Sequence, residues 1–227
     1  SFYAYKEDGL FQSEAEIKSY TNNKGELLQP NAKPGDIKFV DVNGDGVIDG
    51  NDRDYIGNPL PDVTAGLTLG VNFHNFDLSL FFQGMFGNDV YDLTRYVGDF
   101  YNQSQYNKNS RVVNAWTPTN TNTDIPRVTN NNIRPSSYYV QDASFVRLKN
   151  MKIGYSVPQS ILSKIKFNSL YIYAQATNLF TITGYDGIDP EVGLQSYSSD
   201  YRNLDMGVDR GIYPLSRTFT FGVNVSF

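Results

Sequence analysis

The sequence has no cysteine and only one histidine among its 227 residues. The absence of cysteine excludes disulfide scaffolds, zinc–thiolate sites and cysteine nucleophiles. The one histidine, His74, means that a Ser/His/Asp triad or a two-histidine metal site would have to be built around it. His74 stands in a predicted tight turn, however, and a turn residue is the better interpretation. The histidine content therefore gives no support to an enzyme.

Long hydrophobic runs and basic stripes are missing as well. A membrane-spanning helix needs roughly 20 nearly continuous apolar residues, and the most apolar stretch, 78–82, is short and contains Ser79. Spanning helices are excluded, but spanning strands are not, because alternation hides their hydrophobic signal. The net charge is -5 and no basic stripe occurs, so nucleic-acid binding has little support.

Candidate catalytic groups are few. Two carboxylate pairs, Asp189 with Glu191 and Asp205 with Asp209, have the chemistry of glycosidase acids. Both pairs stand in polar stretches without a burial signal, so solvated charges are the better interpretation. The glycine patterns of phosphate-binding and dinucleotide-binding loops do not occur. We expect a protein that is not an enzyme.

The sequence does contain two-residue alternation of apolar and polar residues, over unusually long segments. Such alternation is typical of strands with one apolar face. Near Asn150 the alternation changes parity, and a β-bulge would explain this change. The segments run about 11 residues, longer than the usual strand and close to the roughly 9–11 residues that cross a bilayer. The predicted strands cover 63–73, 76–86, 144–155, 169–180 and 217–227.

Short and long connections alternate between these strands. A tight turn at 74–75 and a short segment at 157–166 alternate with long polar loops at 87–143 and 181–216. Outer-membrane barrels have short turns on the periplasmic side and long loops outside. The pattern favours an all-β, antiparallel transmembrane β-barrel. Five strands cannot close even the smallest barrel of about 8, so we expect part of a larger one. A soluble β-sandwich is the alternative.

One motif, at 41–52, has the spacing of an EF-hand-like calcium loop. It has oxygen ligands at loop positions 1, 3, 5 and 9, a glycine, Gly46, at position 6 and a carboxylate at position 12. Position 12 is Asp instead of Glu, and no convincing helix precedes the loop. The alternative is an Asx- and Gly-rich turn without metal. The predicted ligands of a structural Ca²⁺ are Asp41, Asn43, Asp45, the Val47 carbonyl, Asp49 and Asp52.

Aromatic residues are frequent in the long segment 87–143. Flat rings of this kind could stack on the apolar faces of sugar rings. Packing within the loop, or against a partner that covers it, is the competing and better interpretation. We therefore assign no substrate-binding residue. The aromatic residues concerned are Tyr91, Tyr96, Phe100, Tyr101, Tyr106 and Trp116.

Several blocks of the sequence resemble, in order, the SusC/RagA family of TonB-linked outer-membrane transporters. The longest is 29–46, which reads QPNAKPGDIKFVDVNGDG. The resemblance covers nearly the whole chain, and the blocks together are far more specific than any one of them. The other blocks are 56–61, 76–84, 147–150, 153–155, 176–181 and 213–219.

The resemblance implies that the chain is the C-terminal part of a 22-stranded barrel. The plug and the segment that contacts TonB would lie upstream. It further implies an importer of glycans or oligopeptides in the outer membrane of a Gram-negative bacterium. Import would be powered through TonB and assisted by a SusD-like surface lipoprotein that covers the barrel.

We therefore expect residues 1–62 to form an extracellular loop region with the calcium loop. Residues 63–227 should form the last strands of the barrel and its loops. The competing hypothesis is a secreted calcium-binding β-sandwich, acting as an adhesion or carbohydrate-binding module. Dependence on detergent or lipid separates the two, because only strands with a lipid-facing side require it.

Overall fold

The computed structural model describes residues 1–100, 107–193 and 205–227, apart from the side chain of Ile165. The chain divides into two compact units, which we describe separately. Each unit is assembled from three stretches of sequence. Unit 1 comprises Ser1–Leu60, Asp89–Gln141 and Val192–Gly211, and unit 2 comprises Pro61–Asn88, Asp142–Glu191 and Ile212–Phe227.

Strands predominate among the secondary-structure elements. In chain order the strands are β1 (Phe2–Tyr5), β2 (Glu7–Leu10), β3 (Ile37–Phe39), β4 (Arg53–Gly57), β5 (Val63–Phe73), β6 (Phe76–Phe86), β7 (Asp89–Asp92), β8 (Val140–Asp142), β9 (Phe145–Ser156), β10 (Ser169–Thr177), β11 (Thr181–Thr183), β12 (Val208–Asp209) and β13 (Thr218–Ser226). The helices are α1 (Glu14–Ser19), α2 (Leu93–Arg95) and α3 (Gln159–Ile165). Short 3₁₀ turns lie at Gly50–Asp52, Ser110–Asn114, Asn130–Asn132 and Ser137–Tyr139, and a π turn at Tyr96–Phe100.

Unit 2 is built on one antiparallel sheet. Its strand order is β13-β10-β9-β6-β5, and β11 pairs with the remaining end of β9. The predicted class is confirmed in its coarser form, a mostly β chain with antiparallel sheets. No helix among the described residues is long and apolar enough to span a membrane.

The register explains how an apolar face continues through the parity change in β9. Phe81 lies opposite Asn150, whereas Phe82 lies opposite Leu148, so Lys149 is an extra residue. This is a β-bulge, at the position where the sequence alternation changes parity. It brings Leu148 and Met151 to the same side of the sheet, opposite Phe82 and Leu80 respectively. A single inserted residue thus restores the two-faced character of the strand.

The connections of unit 2 depend on residues with left-handed backbone conformations. His74 (φ 54°) lies in the turn between β5 and β6. β10 ends at Thr177, immediately before Asn178 (φ 50°), and the next strand, β11, begins at Thr181. The sequence instead predicts one continuous strand over 169–180. The side chain of Asn178 donates to the carbonyl of Ser216 at 3.1 Å, which holds this break. The short connection after β9 contains α3.

Unit 1 has only short strands around an aromatic core. β1 pairs with β4, β2 with β3, and β12, β7 and β8 form a third small sheet. The core draws on both the first 60 residues and the stretch predicted as a long loop. That stretch can be ordered because its aromatic residues bury a large apolar area. The core residues are Tyr5, Leu10, Ile37, Phe39, Ile48, Phe100, Trp116, Tyr138 and Tyr139.

A buried ion pair fixes the chain beside this core. The Arg127 guanidinium donates to both oxygens of Asp36, at 2.5 and 3.0 Å, and Asn132 donates to the same carboxylate. Asp36 is almost fully buried, so these bonds offset the cost of removing its charge from water. The neighbouring residue, Gly35 (φ 86°), leaves room for the Trp116 ring, which a Cβ atom there would overlap. The 1–60 and 89–141 segments are thereby locked together.

Candidate functional site

The sheet of unit 2 has one apolar face that is open to its surroundings. Residues directly opposite each other on paired strands point to the same side, and the register places an apolar row on one side across all five long strands. Phe221 is 81% exposed and Phe219 is 63% exposed. The exposed members of this face include Leu67, Leu69, Val71, Phe73, Phe76, Ile153, Ile172, Phe219, Phe221, Val223 and Val225.

A contiguous apolar surface of this size is unusual for a protein that faces only water. A soluble β-sandwich would bury such a row between two sheets. The Phe219–Phe221–Val223 row lies instead on the surface. Its exposure argues against the competing sandwich hypothesis and in favour of contact with an apolar medium.

The opposite face of the sheet is polar and carries two tyrosines, Tyr171 and Tyr173, whose contacts across the strands we call the aromatic latch. The Tyr171 hydroxyl donates to Asp77 Oδ2 at 2.9 Å, so a side chain of β10 reaches across β9 to β6. It can do so because Gly154 of β9 lies beneath it, where a Cβ atom would meet the Tyr171 hydroxyl and Asp77. Tyr173 lies in the same way over Gly222 of β13. These contacts connect β6, β9, β10 and β13 on one face of the sheet.

A cation completes this cluster on the polar face. The Lys152 ammonium lies 4.9 Å from the ring centroids of both Tyr171 and Tyr173, which stack on each other. Cation–π contacts of this kind stabilise by about 0.5–1 kcal/mol at exposed sites. The arrangement offers hydroxyl groups, a positive charge and flat ring faces to a polar medium. Such groups can form hydrogen bonds and stacking contacts with a polar molecule.

The loop after β11 is held by a buried ionic network. Arg147, which is 2% exposed, donates to Asp189 at 2.5 Å and to Glu191 at 2.9 Å. Lys149 donates to the same Glu191 oxygen at 2.8 Å. The prediction of solvated charges is therefore wrong for Asp189, because the long loop folds back onto β9 and pairs its carboxylates there. Sequence spacing does not reveal such a return.

The ionisation of Asp189 reflects this environment. Burial by itself raises the pKa of Asp189. The backbone N–H of Glu191, the Arg147 guanidinium and the N–H of Leu215 all bond to the carboxylate and outweigh burial. The pKa of Asp189 is therefore lowered from its ordinary 3.8. The charged form is the one that holds the loop.

The second predicted carboxylate pair also departs from a solvated one. Asp209 is 1% exposed and accepts a bond from the Gly211 N–H at 2.8 Å. Asp205 pairs with the Arg210 guanidinium at 3.5 Å. These contacts hold the local chain in place.

The predicted calcium loop is closed by its own hydrogen bonds. The Asp41 carboxylate accepts the N–H groups of Gly44 and Gly46 at 2.7 and 2.9 Å. Asp52, fully buried, accepts from Val42 and Asp49 at 2.9 and 2.7 Å. In the part of the chain that the structure describes, no three acidic or histidine side chains converge as a metal site. The donor chemistry suits calcium, and the hydrogen bonds are also those of an Asx-rich turn.

The remaining predicted ligands take part in the same loop bonding. Asn43 Oδ1 accepts from the Asp45 N–H, and Asp45 Oδ1 accepts from the Val47 N–H, at 2.8 and 2.9 Å. Asp49 caps the 3₁₀ turn by accepting from Asn51 N–H at 2.7 Å. All six predicted ligands thus lie on one loop, and calcium binding there stays a prediction.

The aromatic residues of the long loop pack inside unit 1. Phe100 is completely buried and Trp116 nearly so, while Tyr101 and Tyr106 lie outside the described residues. Burial raises the pKa of Tyr91 to about 12, although a hydrogen bond with the Ser136 backbone opposes it. These observations support packing over sugar stacking. The sequence did not mark Tyr138 and Tyr139 as core residues, because they lack any periodic pattern.

Comparison with known proteins gives relatives for the whole chain. No family model matches it. It is 38% identical over 227 residues to "TonB-dependent receptor P3" of Formosa agariphila, covering 100% of the chain and 22% of that protein. It is 30% identical over 206 residues to "TonB-dependent receptor SusC" of Bacteroides thetaiotaomicron, covering 89% of the chain and 19% of SusC.

Solved structures agree with these relatives. The chain matches the RagAB peptide importer in its "open-open" state with a TM-score of 0.75 and 25% identity. This match covers 100% of the chain and 22% of that structure. The "closed-closed" state matches with a TM-score of 0.71 and 26% identity, covering 100% of the chain and 23% of that structure.

The predicted resemblance is therefore confirmed, since the homologues are TonB-dependent receptors, SusC among them, and the structural neighbours are RagAB. These proteins are outer-membrane receptors and transporters and not enzymes, which confirms the predicted location and the predicted absence of catalysis. The chain spans about a fifth of the length of the curated relatives, 22% in the case of receptor P3.

Proposed function

We propose that this chain, a homologue of SusC- and RagA-like TonB-dependent receptors, forms part of the wall of an outer-membrane importer, at its C-terminal end, together with external loops. The observation that carries the proposal is the exposed apolar face of the unit 2 sheet. In β13 this face consists of Phe219, Phe221, Val223 and Val225. The polar opposite face and the homology of the whole chain support it.

The dimensions of the sheet suit a bilayer. β5 and β6 have 11 residues each and β9 has 12, and a tilted strand of roughly 9–11 residues crosses the hydrocarbon layer. Apolar side chains would contact the lipid tails, while the polar face would line the path of the solute. The face with Tyr171, Tyr173 and Lys152 is then the lumen side.

The two outermost strands of the sheet would need further strands as hydrogen-bonding partners. Among the described strands, β5 and β13 stand at the two ends of the sheet order. Their unpaired backbone groups cannot remain exposed in lipid, because each unsatisfied group costs several kcal/mol there. Further strands of a longer protein would pair with both edges, in keeping with the greater length of the relatives.

The segments of unit 1 would belong to the external loops of the importer. Because unit 1 has a buried core, its surface is ordered and would contact a partner. We propose that this partner is a SusD-like lipoprotein lid. Energy would come through TonB, acting on a segment outside this sequence. The imported solute would be a glycan or an oligopeptide.

Labels on two neighbouring residues test the wall. The chain contains no cysteine, so Val223→Cys and Asn224→Cys give single attachment points within it for an environment-sensitive fluorophore. In the intact protein in liposomes, we expect brominated lipids to quench the label at Val223 strongly and the label at Asn224 weakly. Equal, weak quenching at both positions would contradict the proposal and favour the water-soluble module.

A further inference from the structure

Unit 1 contains a cavity of about 570 Å³ that none of the preceding roles uses. This volume lies within the range of about 300–1,000 Å³ that small-ligand sites occupy. The cavity is bounded by the chain before β3, the middle of the 41–52 loop and the 130–134 segment. The lining residues that matter for recognition include Glu26, Leu27, Phe39, Val47, Ile48 and Arg134.

Arg134 is the cationic group of this cavity. Its guanidinium lies over the ring of Phe39, 5.6 Å from the centroid, and over the ring of Tyr5 at 5.5 Å. Both rings are buried, so the stack gives the guanidinium a fixed support. A planar guanidinium held in this way loses little conformational freedom when its N–H groups bind a ligand.

The N–H groups of Arg134 are available. Among the described residues, no carboxylate lies within ion-pair distance of Arg134. Of the two carboxylates that line the cavity, Asp36 is neutralised by an ion pair, whereas Glu26 is exposed and keeps its negative charge. Asp36 is bound on both oxygens by Arg127, and Glu26 accepts from the Asn22 amide at 3.0 Å. Arg134 therefore lines the cavity without a carboxylate partner among the described residues, and its two-pronged donor set is free to bind a ligand there.

The other walls indicate which anion would fit. Leu27 and Val47 are exposed apolar residues at the cavity, and Leu28 and Ile48 extend the apolar lining. Phe39 is the one aromatic residue among the lining residues, and its ring is 1% exposed and covered by Arg134. A sugar would find no open ring face to stack on, whereas an apolar side chain would find a matching wall.

We infer that this cavity binds the carboxyl terminus of a short peptide whose last side chain is apolar. Arg134 holds the carboxylate through two parallel N–H bonds, the geometry that matches a guanidinium to a carboxylate. Leu27, Val47 and Ile48 contact the last side chain. The inference rests on the proposed import function, which it sharpens by naming a peptide terminus as the group recognised.

A comparison of two peptides tests it. The probes are acetyl-Ala-Ala-Val-Leu with a free carboxyl terminus and the same peptide as its terminal amide, titrated calorimetrically into the intact protein in detergent. A hydrogen bond to a charged group contributes about 1.5–3 kcal/mol, so we expect the acid to bind roughly ten-fold or more tightly than the amide. Equal affinity of the two peptides overturns the inference, even without any variant.

Variants locate the effect. Arg134→Gln should abolish the preference for the acid, and Arg134→Lys, which keeps the charge but not the planar donor set, should lose most of it. Arg210→Gln is the matched control, because Arg210 also lies in unit 1, is 43% exposed and pairs with Asp205 outside this cavity. A preference for the acid that survives Arg134→Gln with native Trp116 fluorescence places the site elsewhere and overturns the assignment.

A third ligand distinguishes peptides from acidic sugars. A uronic-acid trisaccharide offers the same carboxylate without an apolar side chain, and we expect it to bind more weakly than the peptide acid. Tighter binding of the trisaccharide overturns the assignment to peptides. These results are independent of the lipid labels at Val223 and Asn224, so failure of this site and failure of the wall proposal can be told apart.

Discussion

In unit 1 the phenylalanine rings lie inside, whereas in unit 2 they lie outside. Phe39 is 1% exposed and is surrounded by other aromatic residues, but Phe221 is 81% exposed on an open sheet. Both residues belong to strands, so secondary structure does not separate them. What differs is the medium on the apolar side: protein in unit 1 and, on our proposal, lipid in unit 2. Apolar alternation therefore predicts a two-faced strand without stating what covers it.

The largest expected effect compares these two rings directly. Phe39→Ala should destabilise unit 1 by about 3–5 kcal/mol, because it leaves a cavity in a packed core. Urea unfolding of the intact protein in detergent measures the effect, followed by the part of the tryptophan fluorescence that comes from Trp116, which belongs to the same core. Trp116→Phe removes the signal and shows that it is specific.

The matched substitution in unit 2 is Phe221→Ala. It should leave the Trp116 transition unchanged, because the Phe221 ring belongs to the other unit and contacts the surrounding medium. An equal shift for both substitutions would mean that Phe221 packs in a core, and the contrast between the units would fail.

A charge placed on the apolar face tests the medium itself. Leu80→Arg should destabilise the protein in liposomes by roughly 2–4 kcal/mol if Leu80 lies near the bilayer midplane. Heat-modifiable gel mobility and urea unfolding in liposomes measure the effect. Thr68→Arg, on the polar face of the paired strand, is the control and should have a much smaller effect. Indistinguishable results for the two variants would count against a lipid-facing side.

The aromatic latch gives a smaller effect, on the polar face. Gly154→Ala would place a Cβ atom where the Tyr171 hydroxyl and Asp77 meet. Because the ends of two side chains can move aside, we expect a cost of about 1 kcal/mol, close to the loss of one hydrogen bond. In a Tyr171→Phe background the same substitution should cost less. Full additivity of the two changes in urea unfolding would refute the latch.

Calcium should stabilise unit 1 only slightly, if the 41–52 loop binds it. With a dissociation constant of roughly 10⁻⁴–10⁻³ M, 1 mM calcium would contribute about 0.4–1.4 kcal/mol. Calorimetry at millimolar calcium should show a heat that Asp45→Ala removes, and chelator should lower the midpoint of the Trp116 transition. No heat in the unaltered protein would assign the loop to the metal-free turn.

Acid should loosen unit 2 through Asp189. The pKa of this carboxyl is lower in the folded protein than its ordinary 3.8, so its pairing stabilises the fold above that pH. The stabilisation is lost as the pH falls below 3.8 through the folded-state pKa. Thermal unfolding of the protein between pH 6 and pH 3 measures the loss. Asp189→Asn should be less stable at pH 6 and should show a smaller decrease on acidification.

Unit 2 could be predicted from the sequence far better than unit 1. The alternation at 63–73 and 76–86 has the same bounds as β5 and β6, because a face-by-face pattern is local and needs no knowledge of partners. The parity change near Asn150 likewise located the bulge. The break at Asn178 was missed, since a left-handed asparagine interrupts a strand without changing its alternation.

The interior of unit 1 escaped prediction because its contacts are distant in sequence. Asp36 finds Arg127 and Asn132 more than 90 positions away, and no spacing rule links such residues. The side chain of Arg134 and its cavity depend on the same long-range packing. The spacing of the calcium motif could be recognised in the sequence, but the backbone N–H groups to which its carboxylates bond could not be predicted.

Lys149, the extra residue in β9, has a consequence for how this strand can change over time. If one residue were removed from β9 away from the bulge, the side chains between the deletion and the bulge would move to the opposite face of the sheet. On the proposed arrangement, apolar side chains would then face the solute path, and polar side chains would face the lipid tails. Insertions and deletions in this strand should therefore be tolerated in pairs, or where a second bulge compensates the first.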